Sequence, residues 1–293
     1  MPGALVLAGG GLAGIAWELG VVRGIADASP ETAGLLLDPE TTFVGTSAGS
    51  AVAAQLSTSV GLDESYAAQL REESAEIGAD VDALALQALF AAAIEGATSP
   101  EDARRRIGTL ALETATLPEE TRRAVIAARV ADAGWPERRL LITAVDTATG
   151  ALEVFDRESG VELVDAISAS CAVPGVWPPV TIAGVRYMDG GVRSGSNADL
   201  AAGAEWVVVI TPLPGVGAPG VGTLPTGELD ALEGSRVEVV YADEASVAAF
   251  GPNSLDPAVR AASAEAGRAQ GARIASRIAA LVGADEADQR RTA

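Results

Sequence analysis

Histidine and lysine are both absent from the 293 residues, so all 20 basic side chains are arginine. That excludes chemistry needing an imidazole or a side-chain amine: the Ser-His-Asp triad, the Ser-Lys pair, the lysine Schiff base and histidine-ligated metals. A single cysteine, Cys171, excludes an intrachain disulfide and a cysteine-rich metal site. Neither a metal nor a cofactor is expected. No hydrophobic run reaches the ~20 residues of a membrane span. The nearest, ALALQALFAAAI from Ala83 to Ile94, is short, contains Gln87 and reads as a buried helix. The opening MPGALVLAGGG lacks the basic start and long apolar core of a signal peptide. With the lone cysteine, this predicts a cytoplasmic protein. Aromatic residues make up only 4% of the chain, so the core must rest on close backbone packing more than on large rings. A net charge of -20 argues against nucleic acid as a partner and against docking on a strongly anionic membrane.

What is present alternates between strand and helix patterns. Ala4 to Ala8 reads as a short buried strand and Leu12 to Asp27 as a helix; Thr42 to Gly45 and Ala48 to Ser57 repeat that order. A helical section follows over about 62–135, with breaks near Gly96–Pro100 and Leu117–Pro118. Strand patterns return at Leu140 to Val145 and Leu152 to Phe155, then a helix over Val161 to Cys171 and a hairpin turning at Ala183–Gly184. The apolar runs Trp206 to Ile210 and Val237 to Tyr241 suit central parallel strands. Pro257 to Val282 reads as a closing helix. The alternation predicts a three-layer α/β/α sandwich with a mainly parallel central sheet. It forms a single domain over 1–285, with Pro212 to Gly227 as a surface loop and 286–293 as a flexible tail.

Two glycine motifs carry candidate chemistry. In LVLAGGGLAGIAWELG, Gly9, Gly11 and Gly14 spell G-x-G-x-x-G between a strand and a helix. Backbone N–H groups at such a loop bind anions, whether a dinucleotide pyrophosphate or a developing oxyanion. The dinucleotide reading also needs an acid closing a second strand about 20 residues on. Glu31 and Asp38 stand near that distance, but SPETAGLLLDPE is a poor strand. The second motif, GTSAG at 45–49, is a G-x-S-x-G between strand-like TTFV and helix-like SAVAAQL, the context of a nucleophile elbow at Ser47. A plain turn or a phosphate-holding loop fits that pentapeptide too.

Without histidine or lysine, a carboxylate is the main candidate base for Ser47. Among 40 acidic residues, Asp189 stands apart, ending an alternating strand before two glycines in VRYMDGGVRSG. An Asp-Gly turn is the alternative for that tripeptide taken alone. Arg186 and Arg193 flank Asp189 and could stabilise its charge or pair at the surface. Cys171 and Trp17 read as core residues, Asp146 as a turn anchor, and Ser170 lacks an elbow context.

The ordered set GGGLAG at 9–14, GTSAGS at 45–50 and DGG at 189–191 resembles the patatin-like phospholipases, serine acyl hydrolases with a Ser-Asp dyad. ASCAVPGVWPPV at 169–180 and NADLAAGAEWVVVI at 197–210 extend the likeness; the helical section carries none of it. The resemblance implies Ser47 as nucleophile, Asp189 as general base and Gly9, Gly10 and Gly11 as the oxyanion loop. It implies a lipid or ester substrate, which leaves room for transient membrane contact. Patatin-like sequences often carry Arg or Lys where this chain has Ala13, so a neutral ester is as suitable as an anionic phospholipid. A non-catalytic acyl-binding protein is the rival from another class, and a nucleotide-binding oxidoreductase the other.

Overall fold

The computed structural model describes residues 3–131, 134–213 and 224–283. Most of the expected loop at 212–227, the end of the predicted domain and the predicted tail lie outside the described residues. The strands are β1 (Ala4–Leu7), β2 (Thr42–Thr46), β3 (Leu140–Asp146), β4 (Leu152–Phe155), β5 (Val180–Ile182), β6 (Val185–Asp189), β7 (Trp206–Thr211) and β8 (Arg236–Tyr241). The helices are α1 (Gly11–Ala28), α2 (Pro30–Leu36), α3 (Ala48–Ser57), α4 (Gly61–Leu70), α5 (Ala83–Ile94), α6 (Pro100–Glu113), α7 (Glu119–Val130), α8 (Leu163–Ser170), α9 (Thr226–Asp230), α10 (Glu244–Phe250) and α11 (Arg260–Val282).

One sheet runs in the order β5-β6-β3-β2-β1-β7-β8, with β4 also paired to β3. β3, β2, β1, β7 and β8 are mutually parallel, while β4 and β6 join β3 antiparallel and β5 closes a hairpin on β6. Every residue of β1 and β7 is buried, which is why both read as apolar without alternation. The hairpin turns where Ala183 and Gly184 both take positive φ, 50° and 85°.

Side chains alternate across the sheet. Leu5 and Leu7 of β1 join Trp17, Leu19, Val52 and Ile278 in the larger core, beneath α1, α3 and α11. Ala4 and Val6 face the other way, with Val207 and Val209, and are covered by Leu224, Leu232 and the turn at Ala198–Ala201. Further along that face Val145 and Met188 meet Phe90 and Ile107 of α5 and α6. The expected sandwich is therefore formed, with α1, α3 and α11 on one face and α5, α6 and the Ala198–Ala201 turn on the other. Trp17 is fully buried, edge-on to Phe250, in the core role read for it. Asp146 accepts from the amides of Ala148 and Thr149 and so anchors its turn.

α5 departs from expectation. Among its described side chains only Phe90 is buried; Leu84 is 78% and Leu89 41% exposed. Composition misled here because alanine and leucine favour helix whether or not a partner covers them. No helix among the described residues is long and apolar enough to cross a membrane.

The closest helix pair is α1 with α11, and glycines on both sides set its spacing. A Cβ on Gly20 would lie 2.2 Å from Ala264 O and one on Gly24 2.0 Å from Arg268 O. From α11, Gly267 and Gly271 meet Trp17 O and Val21 O at 2.3 and 2.1 Å in the same way. Helix propensity alone favours Gly→Ala by about 0.8–1.0 kcal/mol, whereas overpacking costs about 1–3 kcal/mol. Gly24→Ala is expected to lower the urea midpoint. Gly34→Ala, on the exposed side of α2 with no atom within 4 Å of the new methyl, is expected to raise it. A midpoint that rises in both variants would show that the two helices do not need glycine between them.

Candidate active site

Ser47 stands between β2 and α3 at the carboxyl end of the parallel strands. Its backbone has φ 52° and ψ -118°, a conformation outside the regions open to most L-residues. The glycines on either side allow the turn to pack. A Cβ on Gly45 would lie 2.6 Å from Ser50 Cα, and one on Gly49 2.0 Å from Leu7 O. The turn is then held by hydrogen bonds. The Ser47 amide donates to Ser170 Oγ at 2.9 Å. The Ser47 carbonyl accepts from the Ser50 hydroxyl at 2.6 Å, the Ser50 amide at 3.0 Å and the Cys171 thiol at 3.2 Å.

The strained turn aims the Ser47 hydroxyl at Asp189, where Oγ donates to Oδ2 at 2.7 Å. Asp189 ends β6, and its second oxygen accepts from the Gly191 amide at 2.7 Å. Gly190 is required by close approach, since a Cβ there would lie 2.5 Å from the Thr143 carbonyl oxygen. Asp189 is 4% exposed. Burial pushes its carboxyl up to about 7, while the bonds from Ser47 and Gly191 pull in the opposite direction. Neither flanking arginine touches it. Arg193 forks onto Asp199 at 2.9 and 2.7 Å, and Arg186 donates to the Pro179 carbonyl.

The glycine loop lies against the serine. A Cβ on Gly9 would sit 3.4 Å from Ser47 Cβ. The three glycines are not equivalent, however. The Gly9 amide already donates to the Gly195 carbonyl at 2.8 Å. The amides of Gly10 and Gly11 make no hydrogen bond among the described residues, and they open α1 with Gly11 at φ 66°. The free donors beside Ser47 are thus Gly10 and Gly11, at the positive end of an 18-residue helix. The dinucleotide alternative finds no acid closing β2, which ends at Thr46 before the serine itself.

Two hollows accompany these elements. One of about 380 Å³ lies between α1, α4 and α11, where Arg268 and Asp27 pair with each other and no nucleophilic serine or cysteine is present. A much smaller one, about 20 Å³, opens on Ser47 itself, between Gly11, Leu12, Arg122, Trp177 and Leu255. Within its walls it has room for about one water.

Several contributors escaped sequence reasoning. Ser170 and Cys171, read as bland, hold the Ser47 backbone. Asn197, in the left-handed region at φ 51°, is fully buried and ties β2 to the Asp189 loop. Its amide nitrogen donates to Thr46 Oγ1 at 3.0 Å and to the Ser194 carbonyl at 2.9 Å. Its signal was faint: an asparagine between turn-forming residues in GSNAD.

The sequence profile of the family described as Patatin-like phospholipase matches residues 5–202. No curated protein matches the chain. Among solved structures, VipD from Legionella pneumophila is 13% identical with a TM-score of 0.47, over 94% of this chain and 67% of VipD. The type III effector protein ExoU is 16% identical with a TM-score of 0.43, over 94% of this chain and 53% of ExoU. The profile spans more than half of the sequence and contains the glycine loop, the elbow and Asp189: the chain belongs to the patatin-like phospholipase family, a family of lipid acyl hydrolases.

Proposed function

We propose that this enzyme cleaves carboxylic esters through a Ser47–Asp189 dyad and an acyl-enzyme. The observation that carries the reading is the 2.7 Å hydrogen bond from Ser47 Oγ to the buried Asp189. The hydroxyl is the donor, so the proton already points along its path of transfer. Ser47 Oγ attacks the ester carbonyl carbon as its proton passes to Asp189 Oδ2. Negative charge develops on the carbonyl oxygen and meets the unpaired amides of Gly10 and Gly11. Preorganised donors act most strongly on charge that appears only in the transition state. Collapse of the tetrahedral intermediate expels the alkoxide, which takes the proton back from Asp189. Water then attacks the acyl-enzyme with Asp189 again as base, releasing the acid and regenerating Ser47.

A carboxylate at its ordinary pKa near 3.9 is a weak base. Desolvation brings Asp189 to about 7, where a group is about half ionised at neutral pH and accepts a proton far more readily than an ordinary carboxylate.

A fluorophosphonate is expected to label Ser47, read by peptide mass mapping, and Ser47→Ala to lose ester hydrolysis by at least about 10⁴-fold. Labelling of another serine with an active Ser47→Ala would overturn the assignment.

The rate should fall as pH drops below about 7, because the base must be ionised. No histidine exists to supply that limb. Asp189→Asn is expected to lower kcat by about 10²–10⁴-fold and to remove the limb with it. Near wild-type turnover from folded Asp189→Asn would eliminate the dyad.

Stability should move the other way. The folded carboxyl holds its proton to about 7, the unfolded one only to about 4. Its contribution is full below pH ~4 and is lost as pH rises to ~7, a swing on the order of a few kcal/mol. Asparagine does not titrate, so Asp189→Asn should gain on wild type in urea midpoint between pH 4 and pH 8. A gap that stays constant across that range would refute the raised pKa.

A further inference from the structure

Arg122 stands out once the hydrolytic groups are assigned. It lies on α7 within the helical section, is only 5% exposed and lines the hollow that opens on Ser47. Its guanidinium carbon sits 3.9 Å from the centre of the Trp177 ring. Its Nε and Nη1 are buried with no hydrogen-bond partner. Stacking engages the faces of the guanidinium and leaves its in-plane N–H donors free for a carboxylate or phosphate; Nε and Nη1 stand on different edges, and Nη2 completes the fork on either.

The surrounding charges do not neutralise it. The neighbouring Arg129 is matched by Glu76, with Nε to Oε1 and Nη2 to Oε2 both at 2.7 Å. That pairing occupies both oxygens of Glu76. Cys171, the other titratable group nearby, is held neutral because burial raises its thiol pKa. Burial lowers the Arg122 pKa to about 10, so the side chain stays cationic at neutral pH. A buried cation with no hydrogen bond is a costly arrangement unless something negative completes it.

We propose that Arg122 is an oxyanion-binding subsite beside Ser47, so that the enzyme selects esters carrying a carboxylate or phosphate group close to the scissile carbonyl. The proposal rests on the hydrolase reading and adds a substrate class to it. The substrate anion would take the in-plane N–H donors of Arg122 while the ester carbonyl reaches Ser47 and the Gly10 and Gly11 amides. Arg122 thus sets specificity through binding, and the proton transfers stay with Asp189. Arg129 and Glu76 hold each other as a neutral unit, leaving one positive charge facing the hollow in a protein whose net charge is -20.

The test is a ratio of kcat/KM for matched esters. In the carboxylate arm, mono-4-nitrophenyl glutarate is compared with 4-nitrophenyl pentanoate. In the phosphate arm, dihexanoyl phosphatidic acid is compared with dihexanoyl glycerol. Wild type is expected to favour the anionic member of at least one pair. In Arg122→Gln that preference should fall by about 10- to 100-fold, the range for a hydrogen-bonded charge. Arg122→Lys, which keeps charge but loses the fork, should fall between. Both substrates meet the same sample, so a partly unfolded variant cannot change the ratio. A merely structural role for the Arg122–Trp177 stack would depress both substrates equally and leave the ratio unmoved, which overturns the proposal. A wild type that hydrolyses neutral esters with no preference in either arm also overturns it while the Ser47 reading stands. Failure to hydrolyse any of the four esters overturns both. Preference in one arm alone supports the proposal and identifies the anion.

Discussion

The site depends on one strained residue held in place. A serine at φ 52° and ψ -118° costs about 1–3 kcal/mol unless its surroundings fix it, and here they fix it from several sides. β1 passes so close behind that residue 49 can carry no Cβ, and α3 so close above that residue 45 can carry none. Ser170 takes the Ser47 amide, while Ser50 and Cys171 hold its carbonyl. The order of β2 beside β1 and β3 puts the glycine loop on one side of the turn and, through the β3–β6 pairing, Asp189 on the other. Moving any of these elements would release the turn or aim the hydroxyl elsewhere.

Burial then acts on the charged groups in opposite senses. Asp189, with no arginine in contact, becomes a better base because desolvation disfavours its ionised form. Arg122 loses part of its basicity for the same reason, yet its starting value is high enough to leave it charged. The same dry surroundings thus leave a carboxylate ready to accept a proton and a guanidinium ready to accept an anion. Glu18 extends the pattern beneath the glycine loop. It is fully buried, accepts from the Ala8 amide at 2.9 Å, and its pKa is raised well above that of an ordinary carboxyl by burial.

The parts of this arrangement visible in the sequence are those encoded by contiguous residues. β1 with its glycine loop, GTSAG between strand and helix, the Ala183–Gly184 hairpin and Asp189 before two glycines all depend on local backbone geometry. Short-range rules recover such geometry. The breaks near Gly96 and Pro118 were legible for the same reason. What escaped was set by tertiary placement. Ser170 looks like any helical serine until β2 arrives beside it. Arg122 looks like one more arginine on an amphipathic helix until α7 turns it toward Trp177. α5 has the composition of a core helix but finds only Gly175, Phe90's neighbours and α6 to lean on. The loop glycines were read as one unit of three donors. Only the fold shows that Gly9 spends its amide on Gly195.

The missing histidine links these observations. A Ser-His hydrolase obtains near-neutral basicity from the intrinsic pKa of imidazole and can tolerate a wet site. A carboxylate reaches the same basicity only if water and cations are kept away, since either would restore its ordinary pKa. A hollow of only about 20 Å³ at Ser47, the proposed nucleophile, is consistent with that demand. So is the turning of arginines 186 and 193, three and four residues from Asp189, to Pro179 and Asp199 instead. Two arginines of α7 line the hollow; Arg129 is paired with Glu76, and Arg122, which is not, is absent from the groups that shift the Asp189 pKa. On the proposed reading, a substrate anion is recognised close to the ester without depressing the base that takes the proton from Ser47. Recruiting the arginine from a separate helix, stacked on a tryptophan, meets both demands. A cation placed next to Asp189 would satisfy the first only by defeating the second.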